Sequence, residues 1–153
     1  MLRHALILAA LVAPMPALAA NDVALTSEMF VERSVPQPGG QPRLVLEKVK
    51  SVPPGAKLVF VLTYANKGRA PATNFVATNP VPNGVAFESA DGAAVVSTDG
   101  GATYGPLAAA KARAADGSLR PARPDEVTHV RWALKAPIPV AGSGKLSFRG
   151  SVK

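Results

Sequence analysis

Few residues in this chain combine type and spacing in a way that does chemistry. Cysteine is absent, which excludes thiolate nucleophiles, thiolate metal ligands and disulfides. Of the two histidines, His4 lies in an apolar N-terminal segment and His129 stands alone, without the partners that a metal site or a nucleophile–base pair requires. Asp91, Asp99, Asp116 and the pair Asp125-Glu126 are the carboxylates a calcium ion would use. Each sits beside a glycine or in a loop where aspartate serves turn geometry, and no loop has the ligand spacing of an EF-hand. The expectation is no catalytic residue, no metal and no cofactor. On the polar face of its strand, His129 is expected to be exposed.

The basic residues form a more suggestive set. Residues 128–135 and 145–153 both alternate apolar with polar, as half-buried strands do. If the two segments pair as a hairpin, His129, Arg131, Lys135, Lys145, Arg149 and Lys153 share one outer face, a candidate anion-binding face. Outward charges also protect a sheet from edge pairing, so a merely solvated face is the competing reading.

The elements that must position these residues begin after a targeting signal. Met1, Leu2, Arg3 and His4 make a short basic start, an apolar run follows, and Ala17-Leu18-Ala19 supplies small residues for cleavage. Residues 1–19 are therefore expected to be a signal peptide. Their apolar run falls far short of the roughly 20 residues a spanning helix needs, so no transmembrane span is expected in the mature chain. Residues 20–153 suit one domain with one core. Loss of Arg3 lowers the formal net charge from +7 to +6. A basic exported protein, periplasmic, secreted or at the cell surface, is suited to an envelope protein or an anionic surface polymer as partner. Nucleic acid is not expected, because there is no Arg-rich tract and no aromatic platform.

The mature chain reads as strands throughout. Residues 23–35 alternate loosely as one strand or a pair, and three prolines and two glycines in 36–42 force a loop. Residues 43–49 make a second strand. Residues 57–65 are apolar on both faces, with Leu58, Phe60, Leu62 and Tyr64 opposing Val59, Val61 and Ala65, which predicts a central strand covered on both sides. Short strands are predicted at 75–78, 85–89 and 93–98, separated by Asn79-Pro80, Asp91-Gly92 and Asp99-Gly100-Gly101. An alanine- and lysine-rich stretch at 107–115 has helical composition, but alanine offers too little side chain to anchor a helix and Asp116-Gly117 cuts it short. In residues 128–135, Thr128, Val130, Trp132 and Leu134 face inward, and Trp132 is expected to centre the core. Seven to nine short strands with turn signals every eight to twelve residues argue for an all-β, antiparallel β-sandwich.

The central stretch adds Pro54-Gly55, Val61-Leu62-Thr63-Tyr64, Asn66-Lys67-Gly68, Pro71-Ala72-Thr73-Asn74, Asn79-Pro80 and Pro82-Asn83-Gly84 in that order. It resembles a bacterial repeat domain of unknown function, number eleven in its series, which is an immunoglobulin-like module of exported and surface proteins. The likeness covers about residues 43–90. It implies an immunoglobulin-like sandwich and brings no catalytic residues. Family members usually occur as tandem repeats, whereas this chain carries a single copy.

Residues 97–104 follow the pattern Ser-x-Asp-x-Gly-x-Thr-aromatic and resemble the aspartate box of sialidase propellers. That resemblance implies a hairpin turn in which Asp99 binds backbone amides and Tyr104 packs beneath, a structural role. The reading that follows is a non-enzymatic structural or interaction module at the cell envelope. The alternative is a small carbohydrate- or anionic-lipid-binding protein that uses the basic C-terminal hairpin face, with Tyr104 as its exposed aromatic.

Overall fold

A computed structural model describes residues 22–48 and 51–153, and the signal peptide expected over residues 1–19 lies outside them. The described chain forms ten strands: β1 (Val23–Val35), β2 (Arg43–Glu47), β3 (Lys57–Asn66), β4 (Val76–Pro80), β5 (Val85–Ala90), β6 (Val95–Ser97), β7 (Lys111–Arg113), β8 (Leu119–Pro121), β9 (His129–Ala133) and β10 (Ser143–Val152). One sheet has the order β2-β1-β3-β10-β5, a second has β4-β9-β6, and β7-β8 form a separate hairpin. All of the pairings are antiparallel. The two larger sheets share one apolar core, as a β-sandwich requires.

Strand β3 occupies the central place its two-faced sequence predicts, with β1 on one side and β10 on the other. Leu58, Phe60 and Leu62 point into the core and are almost wholly buried. Each contributes about 2 kcal/mol by leaving water. The opposite face departs from the expectation of cover on both sides: Val61, Thr63 and Ala65 stay partly exposed there, and Val59 alone is buried, at 3%. Its cross-strand neighbours Phe30 and Arg149 shelter it, and the Arg149 guanidinium spans from Glu32 at 3.6 Å to Asp91 at 3.7 Å.

Phe148, rather than Trp132, sits at the middle of the core. Its ring stacks on Phe60 with centroids 4.4 Å apart, and Phe87 and Trp132 each lie 6.4 Å away. Trp132 is buried at the core's edge, where its indole N–H donates to the Asp91 carbonyl at 2.9 Å. An indole needs such a polar outlet, so the purely apolar ring takes the centre. Beside Phe148 the β5–β10 register shifts between Arg149 and Gly150.

The strand boundaries follow the sequence with local departures. Strand β1 is single and serves two neighbours, Val23 to Val31 pairing with β3 and Val31 to Val35 with β2. Strand β4 runs through Pro80, which an edge strand tolerates because the missing N–H faces away from the ladder. Residues 107–115 form no α-helix: a 3₁₀ turn at Leu107–Ala109 leads into β7, which turns at Asp116-Gly117 into β8.

The pairing expected of the last two strands is overturned as well. Strands β9 and β10 do not pair as a hairpin, because β9 lies between β4 and β6 while β10 lies between β3 and β5. Val130 and Trp132 fill the core from one sheet and Phe148 fills it from the other, so the connecting segment must cross the sandwich. It does so through Ile138, which bridges to Ala72, and through Ala141 in a left-handed conformation. Among the described residues no helix is long and apolar enough to cross a membrane.

Candidate functional site

The separation of β9 from β10 divides the six basic residues. His129 and Arg131 lie on the outer face of the three-stranded sheet, and Lys145 and Arg149 on the outer face of the five-stranded one. Lys135 follows the end of β9, and Lys153 donates from Nζ to the Asp125 carbonyl at 2.9 Å. No common face unites them. His129, expected to be exposed, is half-buried with Nδ1 3.1 Å from Thr128 Oγ1. It is covered because the turn at residues 97–104 folds back over β9.

That turn has the form its sequence pattern implies. Ser97 Oγ accepts from the Gly101 amide at 2.9 Å and donates to Asp99 Oδ1 at 2.6 Å. Asp99 also accepts from the Thr103 amide at 2.9 Å and from the Thr103 hydroxyl at 2.6 Å. The Ser97 and Thr103 hydroxyls, with the Thr103 amide, hold the Asp99 carboxyl well below the usual carboxylate range. Ser97 is itself buried, while the Asp99 carboxylate that Ser97 and Thr103 hold stays exposed at the surface of the turn.

Tyr104 ends the turn and lies over the outer face of β9. The Arg131 guanidinium carbon is 3.4 Å from the Tyr104 ring centroid, and Arg131 Nε donates to Thr78 Oγ1 at 3.0 Å. Arg131 is thereby fixed by a π face and a hydroxyl, with its planar cation committed to holding the ring.

Between this turn and the β7–β8 hairpin lies a cleft of about 760 Å³. Ala109, Ala110 and Leu119 line it with apolar surface, Tyr104 lies along it, and Lys111 and Arg113, on the same face of the hairpin as Leu119, bring two cations. The hairpin is anchored there by Thr98 Oγ1, which donates to the Lys111 carbonyl at 2.7 Å. Behind it, Arg120 forks onto Glu126, whose second carboxylate oxygen accepts from the Arg123 amide at 2.8 Å. Arg120 first, and the Arg123 amide with it, lower the Glu126 carboxyl to about 2.

Sequence reasoning missed Lys111 and Arg113, because alanine-rich composition drew attention to a helix at that point. The signal was nevertheless present: Lys111 and Arg113 alternate about Ala112, an Asp116-Gly117 turn follows, and Leu119-Arg120-Pro121 returns. Among the described residues no cluster of three or more His, Asp or Glu side chains is arranged to hold a metal ion. Comparison of the chain with models of known protein families, with curated proteins and with solved structures yields no match.

Proposed function

We propose that this chain is an exported, non-enzymatic interaction module, an immunoglobulin-like sandwich that works at the cell envelope by presenting surface to an envelope protein. One observation carries the reading. The five-stranded sheet extends past β3 through β1 and β2, and this wing exposes apolar side chains on both faces, among the Arg33–Glu47 and Lys48–Glu28 ion pairs. Leu25, Met29 and Val35 lie on the face that continues the core, at 40%, 38% and 38% exposure. Leu44 and Leu46 lie on the other face, at 62% and 48%. Five of the eight large apolar side chains left exposed among the described residues therefore belong to these two strands, a concentration that marks interaction surface. The resemblance of residues 43–90 to an immunoglobulin-like module of surface proteins supports the same reading. The polar residues of the 97–104 turn support the non-enzymatic part, since Ser97, Asp99 and Thr103 spend their hydrogen bonds on one another.

The test places a photo-crosslinking residue at Leu44 or, as a control outside the wing, at Val140. Irradiation of cells should give a discrete adduct in the envelope fraction from Leu44 only, on a chain whose N-terminal segment has been removed. Retention of the intact chain in the cytoplasm, or equal adducts from both positions, would overturn the proposal.

A further inference from the structure

The cleft between the 97–104 turn and the β7–β8 hairpin belongs to neither wing strand, and its chemistry differs from that of the wing. Its volume of about 760 Å³ lies within the range of small-molecule sites, roughly 300–1,000 Å³. Two features decide what suits it. The first is uncommitted positive charge. Arg33, Lys48, Lys57, Arg120, Arg123 and Arg149 each pair with a carboxylate. Among the described residues Lys111 and Arg113 stand outside those pairs, as do Arg43, Lys67, Arg69, Arg131, Lys135, Lys145 and Lys153, and they are the two of this set that line the cleft. Arg113 donates from one terminal nitrogen to the Gly117 carbonyl at 3.2 Å. The one carboxylate lining the cleft, Asp99, already accepts three hydrogen bonds from Ser97 and Thr103. The second feature is a fixed aromatic ring. Tyr104 is clamped from one face by Arg131, so its position is set before any ligand arrives and little ordering cost remains.

A flat ring beside small apolar side chains receives the C–H face of a sugar, and two neighbouring cations receive a carboxylate. We propose that this cleft binds an acidic saccharide, with a uronic-acid-type ring against Tyr104 and its carboxylate toward Lys111 and Arg113. The alanines contribute contact without bulk, which leaves room for a chain of sugars running past the hairpin. Arg131 is a positioning residue, acting through the ring that it holds. The proposal is independent of the wing, and either surface can be removed without touching the other.

The experiment is an amide-resolved NMR titration of the folded protein with trigalacturonic acid, at low and at high salt. Maltotriose serves as a neutral sugar and inorganic phosphate as a sugar-free anion. Trigalacturonate should shift amides around Tyr104, Lys111 and Arg113, and high salt should weaken it. The exposed pair Lys111→Glu with Arg113→Glu should lower affinity about tenfold or more without changing the melting temperature, a loss of about 1.4 kcal/mol. Tyr104→Ala should weaken binding while Tyr104→Phe preserves it. Absence of shifts at these amides overturns the proposal, as does equal binding of maltotriose. Phosphate matching the acidic sugar would reduce the cleft to a simple anion site and also refute it.

Discussion

The side-chain nitrogen of Asn66 donates to the carbonyl of Ile138 at 2.9 Å, joining the end of β3 to a segment that lies 72 residues further along. The same nitrogen reaches the carbonyls of Ala70 at 2.9 Å and Pro139 at 3.2 Å, while Oδ1 accepts from the Gly68 amide at 2.9 Å. Asn66 is 2% exposed, and it supplies both donor and acceptor at one buried point. This is the physical content of the Asn66-Lys67-Gly68 sequence. The asparagine ties the strand's own turn to the segment that carries the chain from one sheet to the other.

Replacing Asn66 by alanine therefore takes the acceptor from the Gly68 amide and a donor from the carbonyls of Ala70, Ile138 and Pro139, the last two keeping the amides of Ala72 and Gly142. The expected loss is about 3 kcal/mol, read from urea unfolding. Asn66→Asp should cost more than Asn66→Ala, because a carboxylate faces carbonyl oxygens where a donor stood. If Asn66→Ala unfolds at the midpoint of the parent protein, this junction contributes nothing.

Phe148 is fully buried and meets Phe60, Phe87 and Trp132. Phe148→Ala should cost about 3–5 kcal/mol, with loss of the near-ultraviolet circular dichroism that arises from the fixed Trp132 environment. Phe148→Leu, which keeps most of the volume, should retain more stability than Phe148→Ala.

Gly150 sits at the register shift between β5 and β10. A Cβ there would lie 2.6 Å from the Ala86 carbonyl oxygen and 2.7 Å from Val85 Cγ1, so the strands would have to part. Gly150→Ala should destabilise by about 1–3 kcal/mol, whereas Gly105→Ala, which meets open space, should cost distinctly less in the same denaturation series.

Tyr104 and Arg131 should couple. A double-mutant cycle with Tyr104→Ala and Arg131→Ala is expected to give an interaction of about 1 kcal/mol, and Tyr104→Phe should preserve it. Additive single-site effects would show that the ring and the guanidinium are merely adjacent.

Glu126 gives an acid-dependent term. Arg120 and the Arg123 amide hold its carboxyl at about 2, below the ordinary glutamate value of 4.5. A depressed folded-state pKa stabilises the native state above the unfolded value, and that contribution is lost as pH falls from about 4.5 toward about 2. The stability gap between the parent and Glu126→Gln should therefore be constant near neutrality and shrink across that window. A gap independent of pH would refute the assignment.

Much of this fold was legible in the residues. The two-faced apolar run of residues 57–65 and the alternation of residues 128–135 identified β3 and β9, and Pro/Gly/Asn/Asp clusters marked their ends, because composition, periodicity and turn chemistry are local properties. Which strand lies beside which is not local. The β9 and β10 patterns were equally compatible with a hairpin, and the separation arises because Trp132 and Phe148 must meet across the core from opposite sheets. The division of the basic residues between two outer faces followed from that one fact. Tyr104 was legible as the end of a turn but not as the ring clamped by Arg131, since that contact joins residues far apart in sequence. Lys111 and Arg113 escaped notice because alanine content masked a two-stranded hairpin.

The place of β10 has a kinetic meaning. It is the last strand in sequence and yet lies in the interior of its sheet, between β3 and β5. Until residues 143–152 are available, β3 lacks one neighbour, β5 lacks the one ladder it has among the described residues, and the core lacks its central ring. Loop closure of this length must precede most of the burial that rewards it, so folding should be slow and late rather than progressive from the first strand. Pairing of β1 with β3 and of β4 with β9 can come first, but the two sheets close on their core only when residues 143–152 enter between β3 and β5.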